Sequence, residues 1–435
     1  MKNSINIFWF RRDLRLNDNA GLFHALKSGL PVLPVFVFDT NILNELEKND
    51  PRVTFIFEEL KKINEKLKST GSRLIVKHGE PLTVWKNLVD EYDILEVYTN
   101  HDYEPYSIRR DQQIFDFLQT QKISSRTFKD HVIFEKDEVV KDDGKPYTVY
   151  TPYMNKWMSR LYENSVRIFD TAKYSKNFIQ LPWSEIPELR QIGFVKSDIS
   201  IPEARLDSDR IEKYEQTRNF PFIDGTSMAG THLRFGTISI RELIIKADSF
   251  ANRTFLKELV WREFFMQILY HFPKVVRESF KPAYDKIEWI NDEDQFHQWC
   301  GGKTGYPMVD AGMRALNTTG FMHNRVRMVV ASFLCKHLLI DWRWGEGYFA
   351  RKLLDYELSS NNGNWQWAAG TGCDAAPYFR IFNPTEQMKK FDAEKKYIKK
   401  WVPELQTSAY PNPVVDHQFA RMRAISVYKK GLSGE

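Results

Sequence analysis

Two short runs near the start of the chain, INIFWF at residues 5–10 and PVLPVFVF at residues 31–38, decide the fold. Both are rich in β-branched and aromatic residues and have the length of a buried strand. Three further strand-like runs follow at residues 73–78, 94–99 and 124–128. Helix-like segments separate these runs, and strands that alternate with helices predict a doubly wound parallel α/β sheet over residues 1–130.

The helix-like segments carry the spacing of an amphipathic helix. Between residues 53 and 67, the apolar residues Phe55, Leu60, Ile63 and Leu67 are three to five positions apart and favour one face of a helix. This part of the chain has neither a GxGxxG fingerprint nor a GxxxxGK loop, so it does not predict a standard nucleotide cradle.

The rest of the chain changes character twice. Residues 131–200 have no sustained period and contain Pro152, Pro182 and Pro187, which predicts a long interdomain linker. After Ile201 the strand signals give way to helical periodicity, so residues 201–435 predict an all-α domain.

Composition excludes several classes of protein. The 435 residues are 42% hydrophobic and 27% charged, which is typical of a globular chain. No stretch approaches the roughly 20 apolar residues needed to cross a bilayer, and Arg11 and Arg12 interrupt any secretory signal. Three widely separated cysteines favour neither disulfides nor a metal site. We expect a cytoplasmic protein without a bound metal and without a membrane partner.

Charge and aromatic content raise the question of function. The formal net charge of +5 is compatible with an anionic partner such as nucleic acid. Of 12 Trp residues, eight lie at or after Trp261. Large helical cores also use Trp for its buried area, so the positions of these residues must decide between packing and chemistry.

The first cluster of interest is FLKELVWREFF at residues 255–265. Glu258, Trp261 and Arg262 lie at positions i, i+3 and i+4, so an acid, a large ring and a guanidinium share one helical face. An ordinary helix ion pair beside a core Trp is the structural alternative.

The second cluster covers residues 299–328. Its GKTGYP piece lacks the glycine spacing of a phosphate loop and ends in proline, which argues against an NTPase. Asn324, Arg327 and Met328 lie within one turn and would line a polar cavity, or alternatively form a buried ion pair with a packing Met.

The third cluster covers residues 353–384. The Ser, Asn and Gly residues of 359–363 predict a break in the helix, which would leave amide side chains to bind a planar heteroaromatic ligand. Trp365 and Trp367 are two positions apart and cannot share one helical stripe, so the sequence predicts another task for at least one of them.

These clusters resemble the photolyase and cryptochrome family of flavoproteins, and most of all its class I cyclobutane pyrimidine dimer photolyases. The resemblance runs from WFRRDLRLNDN at residue 9 through GKTGYP, HNRVRM and NNGNWQWAAGTG to DAAPYFRIFNP, which ends at residue 384. It implies an N-terminal antenna domain, a linker and a helical domain that binds FAD and damaged DNA.

Carried over by motif, the resemblance implies FAD contacts at many positions. They are Tyr214, Thr226, Ser227, Met228, Ala229, Gly230, Phe255, Arg262, Asn324, Arg327, Asp355, Glu357 and Asn361. Arg327 and Asp355 resemble the family's ion pair beside the flavin ring, and Asn361 matches the residue that faces flavin N5. The run Met228–Thr231 departs from the family's usual leucine, serine and proline, and Glu357 replaces an Asp.

The same resemblance implies a lesion pocket, a DNA-binding face and an electron path. The catalytic set is Glu258, Trp261, Asn324 and Met328; the DNA-binding set is Arg218, Trp261, Arg325, Trp367 and Arg380; the electron-transfer chain is Trp365, Trp342 and Trp289. Together they imply light-driven repair of cyclobutane pyrimidine dimers by an electron from excited, reduced FAD.

Two alternatives to dimer repair stay open. The resemblance itself favours dimer repair at two places. Repair enzymes for (6-4) photoproducts carry histidines at the positions of Asn324 and Met328, and plant-type cryptochromes usually carry Asp at the position of Asn361. The sequence also ends at Glu435 without a long tail. A cryptochrome-type blue-light photoreceptor without repair activity is the alternative within the family. Outside the family, a colourless nucleic-acid-binding protein would use its aromatic residues to stack bases.

The sequence leaves the second chromophore undecided. In YEPYSIRRD, residues 103–111, Tyr106 and Ser107 stand where folate-binding relatives show an Asn-Glu pair. A folate, a deazaflavin, a second flavin or none would each be compatible. We expect the protein to be a monomer.

Overall fold

The computed structural model describes residues 4–433, and its internal contacts divide the chain into two units. The α/β unit comprises Met1–Glu138, Ser159–Ala204 and Met228–Ser249. The helical unit comprises Val139–Met158, Arg205–Ser227 and Phe250–Glu435. The units interleave along the chain, whereas the sequence predicts the three consecutive ranges 1–130, 131–200 and 201–435.

The α/β unit contains one five-stranded parallel sheet of order β3-β2-β1-β4-β5. Its strands are β1 (Ile5–Phe10), β2 (Val32–Asp39), β3 (Ile75–Gly79), β4 (Ile94–Asn100) and β5 (Ser124–Phe128). The strand order reverses at β1, which pairs with both β2 and β4. The predicted doubly wound parallel sheet is confirmed.

Helices cover both faces of this sheet. They are α1 (Ala20–Lys27), α2 (Thr40–Leu43), α3 (Pro51–Lys68), α4 (Pro81–Glu91) and α5 (Pro105–Thr120). Along β1, Phe8 and Phe10 belong to one buried cluster while Ile7 and Trp9 belong to another. Because successive side chains of a strand point to opposite faces, a strand that is buried at every position, as β1 is, needs cover on both sides.

One helix lies in the range that the sequence predicts as an irregular linker. Helix α6 spans Tyr150–Glu163, and Tyr153, Trp157 and Leu161 form its buried stripe at four-residue spacing. Pro152 lies in the first turn of the helix. Backbone N–H groups there have no acceptor within the helix, so the N–H group that proline lacks is not needed. The prediction of an irregular segment is therefore wrong for these 14 residues.

From residue 129 to residue 433 the structure contains helices and isolated bridges but no further strand, which confirms the predicted all-α character. The helices are α7 (Ser208–Glu212), α8 (Tyr214–Thr217), α9 (Ala229–Phe235), α10 (Ile240–Asp248), α11 (Thr254–His271), α12 (Glu293–Cys300), α13 (Pro307–Thr319), α14 (Asn324–Ser332), α15 (Trp342–Lys352), α16 (Leu358–Ala369), α17 (Pro384–Phe391), α18 (Lys396–Trp401) and α19 (His417–Ser433). Across residues 4–433, no helix combines the length and the apolar character required to cross a membrane.

Helix α16 passes without interruption through the segment 359–363, where the sequence predicts a break, so that prediction is wrong. The amide of Asn362 donates to the carbonyl oxygen of Val275 at 2.9 Å. Gly363 lies so close to Phe265 that a Cβ atom there would be 2.1 Å from the ring. These tertiary contacts outweigh the low helix propensity of Asn and Gly.

Candidate active site

A narrow cleft of about 90 Å³ lies in the helical unit, between α14, α16 and the chain that precedes α16. It brings together a large part of the sequence-predicted site: Asn324, Arg327, Met328, Asp355, Glu357, Asn361, Trp365 and Trp367. These residues are spread over more than 40 positions of sequence. Their convergence on one cleft is what a shared ligand would require.

Two ion pairs belong to this cleft. Arg327 donates to Asp355 at 2.9 Å and to the backbone oxygen of Met322 at 2.7 Å. Arg262, from α11, lies 3.4 Å from the Glu357 carboxylate, which is almost fully buried. Burying these charges is tolerable only because each has its counterpart. The extra methylene of Glu357 is therefore accommodated in an ion pair with Arg262.

Asn361 has a partner that the sequence analysis missed. Its amide nitrogen donates to the backbone oxygen of Glu346 at 3.1 Å and to its carboxylate at 2.9 Å. Burial raises the pKa of Glu346. Because both amide hydrogens have acceptors on Glu346, the group that Asn361 can offer a ligand is its carbonyl oxygen. Glu346 lies on α15, 15 positions before Asn361, and no local pattern in the sequence links the two residues.

Glu258 and Trp261 lie together on α11, as their spacing predicts. Arg218, which follows α8, forms an ion pair with Glu258, and both side chains stay partly exposed. Burial raises the pKa of Glu258, and the Arg218 charge opposes that rise. Trp261 stacks on Tyr150 with 3.5 Å between ring centroids and 7° between ring planes. Neither Glu258 nor Trp261 lines the α14–α16 cleft.

The arginines predicted to bind DNA influence one another electrostatically. Burial lowers the pKa of Arg325, and the charges of Arg218 and Arg380 lower it further. Burial and the charges of Arg327, Arg325 and Arg218 lower the pKa of His323 to about 4. Positive charge is thus concentrated around the start of α14, where it would attract an anion.

The three Trp residues of the predicted electron path differ in exposure. Trp365 and Trp342 are buried in the core of the helical unit, and Trp289 lies partly buried at its edge against Tyr428. Gly345 allows α15 to approach Trp365, since a Cβ atom there would be 2.1 Å from the indole. Trp299, which no sequence motif indicated, is fully buried with its ring 6.1 Å from that of Trp365.

The remaining predicted FAD contacts lie apart from this cleft. Tyr214 meets Phe255 edge to face, with 5.3 Å between their rings. The backbone oxygens of Thr226 and Ser227 accept hydrogen bonds from Arg210 and from the backbone N–H of Arg205. The next three residues, Met228–Gly230, fall in the α/β unit, where Met228 has the left-handed φ of 52° before α9 begins.

The α/β unit has cavities of its own. One of about 230 Å³ lies at the start of α5 and includes Tyr106, Arg109 and Arg110. The phenol of Tyr106 donates to Asp39 at 2.6 Å. A larger cavity of about 450 Å³ lies beside β5 and the end of α6, and it contains none of the residues that the sequence analysis selected. Volume alone therefore does not identify the chemistry of this chain.

A parallel sheet, a helical unit and a cleft lined by ion pairs, amides and indoles are what the sequence resemblance implies for a flavoprotein of the light-driven DNA-repair type. Comparison with known proteins supports this class. Residues 6–171 match the family described as DNA photolyase, and residues 255–409 match the FAD binding domain of DNA photolyase. The chain therefore belongs to the photolyase and cryptochrome family.

Three similar proteins illustrate the match. The deoxyribodipyrimidine photo-lyase of Halobacterium salinarum is 36% identical, over 99% of this chain and 100% of its own. The class III photolyase from Agrobacterium tumefaciens is 32% identical and superposes with a TM-score of 0.87 over 100% of this chain and 98% of its own. The archaeal photolyase from Sulfolobus tokodaii, solved with two FAD molecules, is 34% identical, with a TM-score of 0.82 over 98% of this chain and 99% of its own.

The side chains present fit FAD as a ligand. The cleft offers charged pairs, amides and an indole, which suit a flat ring with donors and acceptors along its edge. Among the described residues, no group of three or more acidic, His or Cys side chains is arranged to hold a metal ion.

Proposed function

We propose that this protein repairs cyclobutane pyrimidine dimers in DNA with blue light. A single electron is transferred to the flipped-out lesion, the two C–C bonds that join the pyrimidines break, and the electron returns to its donor, so the reaction causes no net oxidation or reduction. The observation that carries the proposal is the convergence of the cleft residues, from Asn324 to Trp367, beside a helix that presents Glu258 and Trp261. The family to which the chain belongs supports the same reaction.

FAD is the cofactor of the reaction. Arg262, Arg327, Asp355, Glu357 and Asn361 would hold its ring, and Tyr214, Phe255 and the segment 226–230 would hold the remainder. When bound and reduced, FAD supplies a light-excitable donor of one electron. The ion pairs Arg327–Asp355 and Arg262–Glu357 keep the charges of the cleft balanced and its shape fixed before the cofactor binds.

The lesion-binding residues suit the chemistry of a pyrimidine dimer. A dimer has a flat apolar flank and polar edges, so it matches stacking by Trp261 and Trp367 combined with hydrogen bonds between the pyrimidine edges and the side chains of Glu258 and Asn324. Met328 adds an adaptable apolar contact. Because the damaged bases are weakly paired, extruding them costs less than extruding a normal pair, and this difference supplies selectivity.

Contacts between arginine side chains and the phosphate backbone of the DNA complete the interface with damaged DNA. Arg218, Arg325 and Arg380 would bind phosphates without reading sequence. In the protein free of DNA, Glu258 is the ion-pair partner of Arg218. A phosphate that engages Arg218 would compete for that pairing and leave the Glu258 carboxyl group to face the lesion.

Further features complete the proposal. Trp365, Trp342 and Trp289 would relay electrons to the oxidised cofactor from a reductant in solution at the protein surface.

The cavity beside Tyr106 would accept a second chromophore, a role that the second FAD of the Sulfolobus tokodaii photolyase suggests.

We also propose a monomeric, cytoplasmic protein, which size-exclusion chromatography and cell fractionation would test.

The repair assay separates this function from a photoreceptor role. Under blue light the wild type should remove dimers from irradiated DNA, and Glu258→Ala and Trp261→Ala should each lower the repair rate at least tenfold while the flavin content stays constant. Lys257→Ala, an exposed neighbour on the same helix, is the matched control and should repair at the wild-type rate. A flavin-loaded wild type that repairs no dimers would support the photoreceptor instead.

A further inference from the structure

Tyr150 covers one face of the Trp261 indole. The two rings are 3.5 Å apart at their centroids and 7° from parallel, so the contact is face to face. Phe264 and Phe265 contact the same indole, with centroids 5.6 Å and 5.5 Å away. One side of the indole is therefore held by the protein, while Trp261 as a whole remains partly exposed.

Tyr150 is itself held from three directions. It is the first residue of α6, and its backbone N–H donates to the carboxylate of Asp374 at 3.0 Å. Its phenol donates to the backbone oxygen of Lys257 on α11 at 2.7 Å. Its ring also meets Phe264 at a steep angle, with 5.8 Å between centroids. The ring is thus anchored to α11, to the segment after α16 and to the Trp261 indole at once.

The surroundings of the Tyr150 phenol favour its protonated form. Burial and the carboxylate of Glu258 both raise the pKa of Tyr150. The O–H group therefore remains a donor to Lys257, and the anchor does not depend on pH in the physiological range.

We propose that Tyr150 is a positioning residue for lesion recognition: it fixes the plane of the Trp261 indole, so that the opposite face is ready to stack on the flat flank of the dimer. The inference rests on the proposed function and extends the lesion-binding site to the start of α6. Immobilising a free aromatic side chain costs affinity on binding, and a side chain that is already fixed avoids that cost.

Two substitutions separate the ring from its anchor. Tyr150→Leu removes the ring, and Tyr150→Phe keeps the ring but removes the bond to Lys257. We expect Tyr150→Leu to lose about tenfold in affinity for an oligonucleotide with one thymine dimer, with unchanged affinity for the undamaged oligonucleotide. Tyr150→Phe should stay within about threefold of the wild type. Tyr153→Leu, a buried tyrosine of the same helix, controls for general destabilisation of α6.

The orientation of Trp261 can be followed directly. In protein labelled with 5-fluorotryptophan, the Trp261 signal is assigned by its absence in Trp261→Phe. Tyr150→Leu should shift and broaden this signal, Tyr150→Phe should leave it close to its wild-type position, and Tyr153→Leu should not move it. A merely structural role for Tyr150 would lower stability without moving the Trp261 signal more than the control does.

Two results would overturn the proposal. The first is a Tyr150→Leu protein that repairs dimers and keeps wild-type discrimination between damaged and undamaged DNA. The second result does not depend on whether a variant folds. It is a 5-fluorotryptophan signal of Trp261 in the wild type at the position expected for a freely rotating, solvent-exposed indole. Absence of light-driven repair in the wild type would instead contradict the proposed function, so the two failures are distinguishable.

Discussion

At the scale of single residues, the cleft depends on charges that are buried in pairs. Arg327 with Asp355 and Arg262 with Glu357 leave no guanidinium of the cleft without a counterion. Removing one member of a partly buried pair leaves its partner desolvated, which is more damaging than losing the pair.

Trp342 is expected to matter for the supply of electrons and not for repair itself. Trp342→Phe keeps an aromatic ring in the core but removes the readily oxidised indole. Photoreduction of the oxidised flavin should slow at least tenfold, while repair by chemically reduced protein should stay within twofold of the wild type. Flash spectroscopy measures the first quantity and a repair assay the second.

A second buried Trp provides the control for this experiment. Trp85→Phe makes the same substitution in the core of the α/β unit and should leave photoreduction unchanged. An unaltered photoreduction rate in Trp342→Phe would remove this residue from the electron path.

The lowered pKa of His337 leads to a prediction of how the stability of the protein depends on pH. Burial and the neighbouring His417 and Arg423 lower the pKa of His337 to about 3, against about 6.5 for an exposed histidine. Between these values the unfolded chain binds a proton that the folded chain does not. The free energy of unfolding should therefore fall as the pH falls below 6.5, by at most about 1.4 kcal/mol per pH unit from this residue.

Urea denaturation between pH 7.5 and pH 5 measures this dependence. His337→Gln should flatten it, whereas the exposed His297→Gln should leave it as steep as in the wild type. Equal slopes in His337→Gln and the wild type would show that this histidine does not cause the acid sensitivity.

Residue chemistry could be predicted from sequence more readily than residue partners. The i, i+3, i+4 spacing placed Glu258, Trp261 and Arg262 on one helix, and the structure has them on α11. Partners that come from distant segments leave no local signal. Glu346 beside Asn361 and Tyr150 against Trp261 are contacts of this kind, and both became visible only in the folded chain.

At the scale of elements, strands were easier to predict than the helices of the site. All five predicted strands occur within two residues of their expected bounds, because short β-branched runs between helices have few competing structures. The sequence predicts a break in α16 at residues 359–363, because Ser, Asn and Gly are residues typical of turns. Its helical state depends on packing against α11 and on hydrogen bonds to Val275, which a local pattern cannot contain.

Two glycine substitutions test the packing of α16. Gly363→Ala would place a methyl group 2.1 Å from the Phe265 ring, so it should destabilise the protein by about 1–3 kcal/mol. Gly347→Ala on α15 meets only the tip of Arg351, at 3.8 Å, and should stabilise the helix by up to about 1 kcal/mol through propensity. Thermal unfolding gives both values, and stabilisation by Gly363→Ala would contradict the packing described for α16.

At the scale of the whole molecule, the sequence predicts three consecutive ranges, 1–130, 131–200 and 201–435, whereas contacts divide the chain into two units that interleave along it. Segments 159–204 and 228–249 belong to the α/β unit although helical sequence surrounds the second one. Domain membership depends on contacts between distant parts of the chain, and composition along the sequence does not record them.

DNA binding by the intact protein should depend steeply on salt. Each phosphate contact made by an arginine contributes about 0.9 to the slope of log affinity against log salt concentration on duplex DNA. Arg380→Ala should therefore reduce that slope by about one unit for damaged and undamaged duplex alike. Arg421→Ala, an exposed arginine of α19, should leave the slope unchanged. An identical slope in Arg380→Ala would remove this residue from the DNA interface.

Irradiation of an oligonucleotide with one thymine dimer, in the presence of the purified and chemically reduced protein, is the decisive measurement. Dimer loss is followed by chromatography at a series of wavelengths and in the dark. The dimer should disappear only in the light, with an efficiency that follows the absorption of the bound chromophores. A dimer that persists at every wavelength, or a purified chain that carries no flavin, would contradict the proposed chemistry.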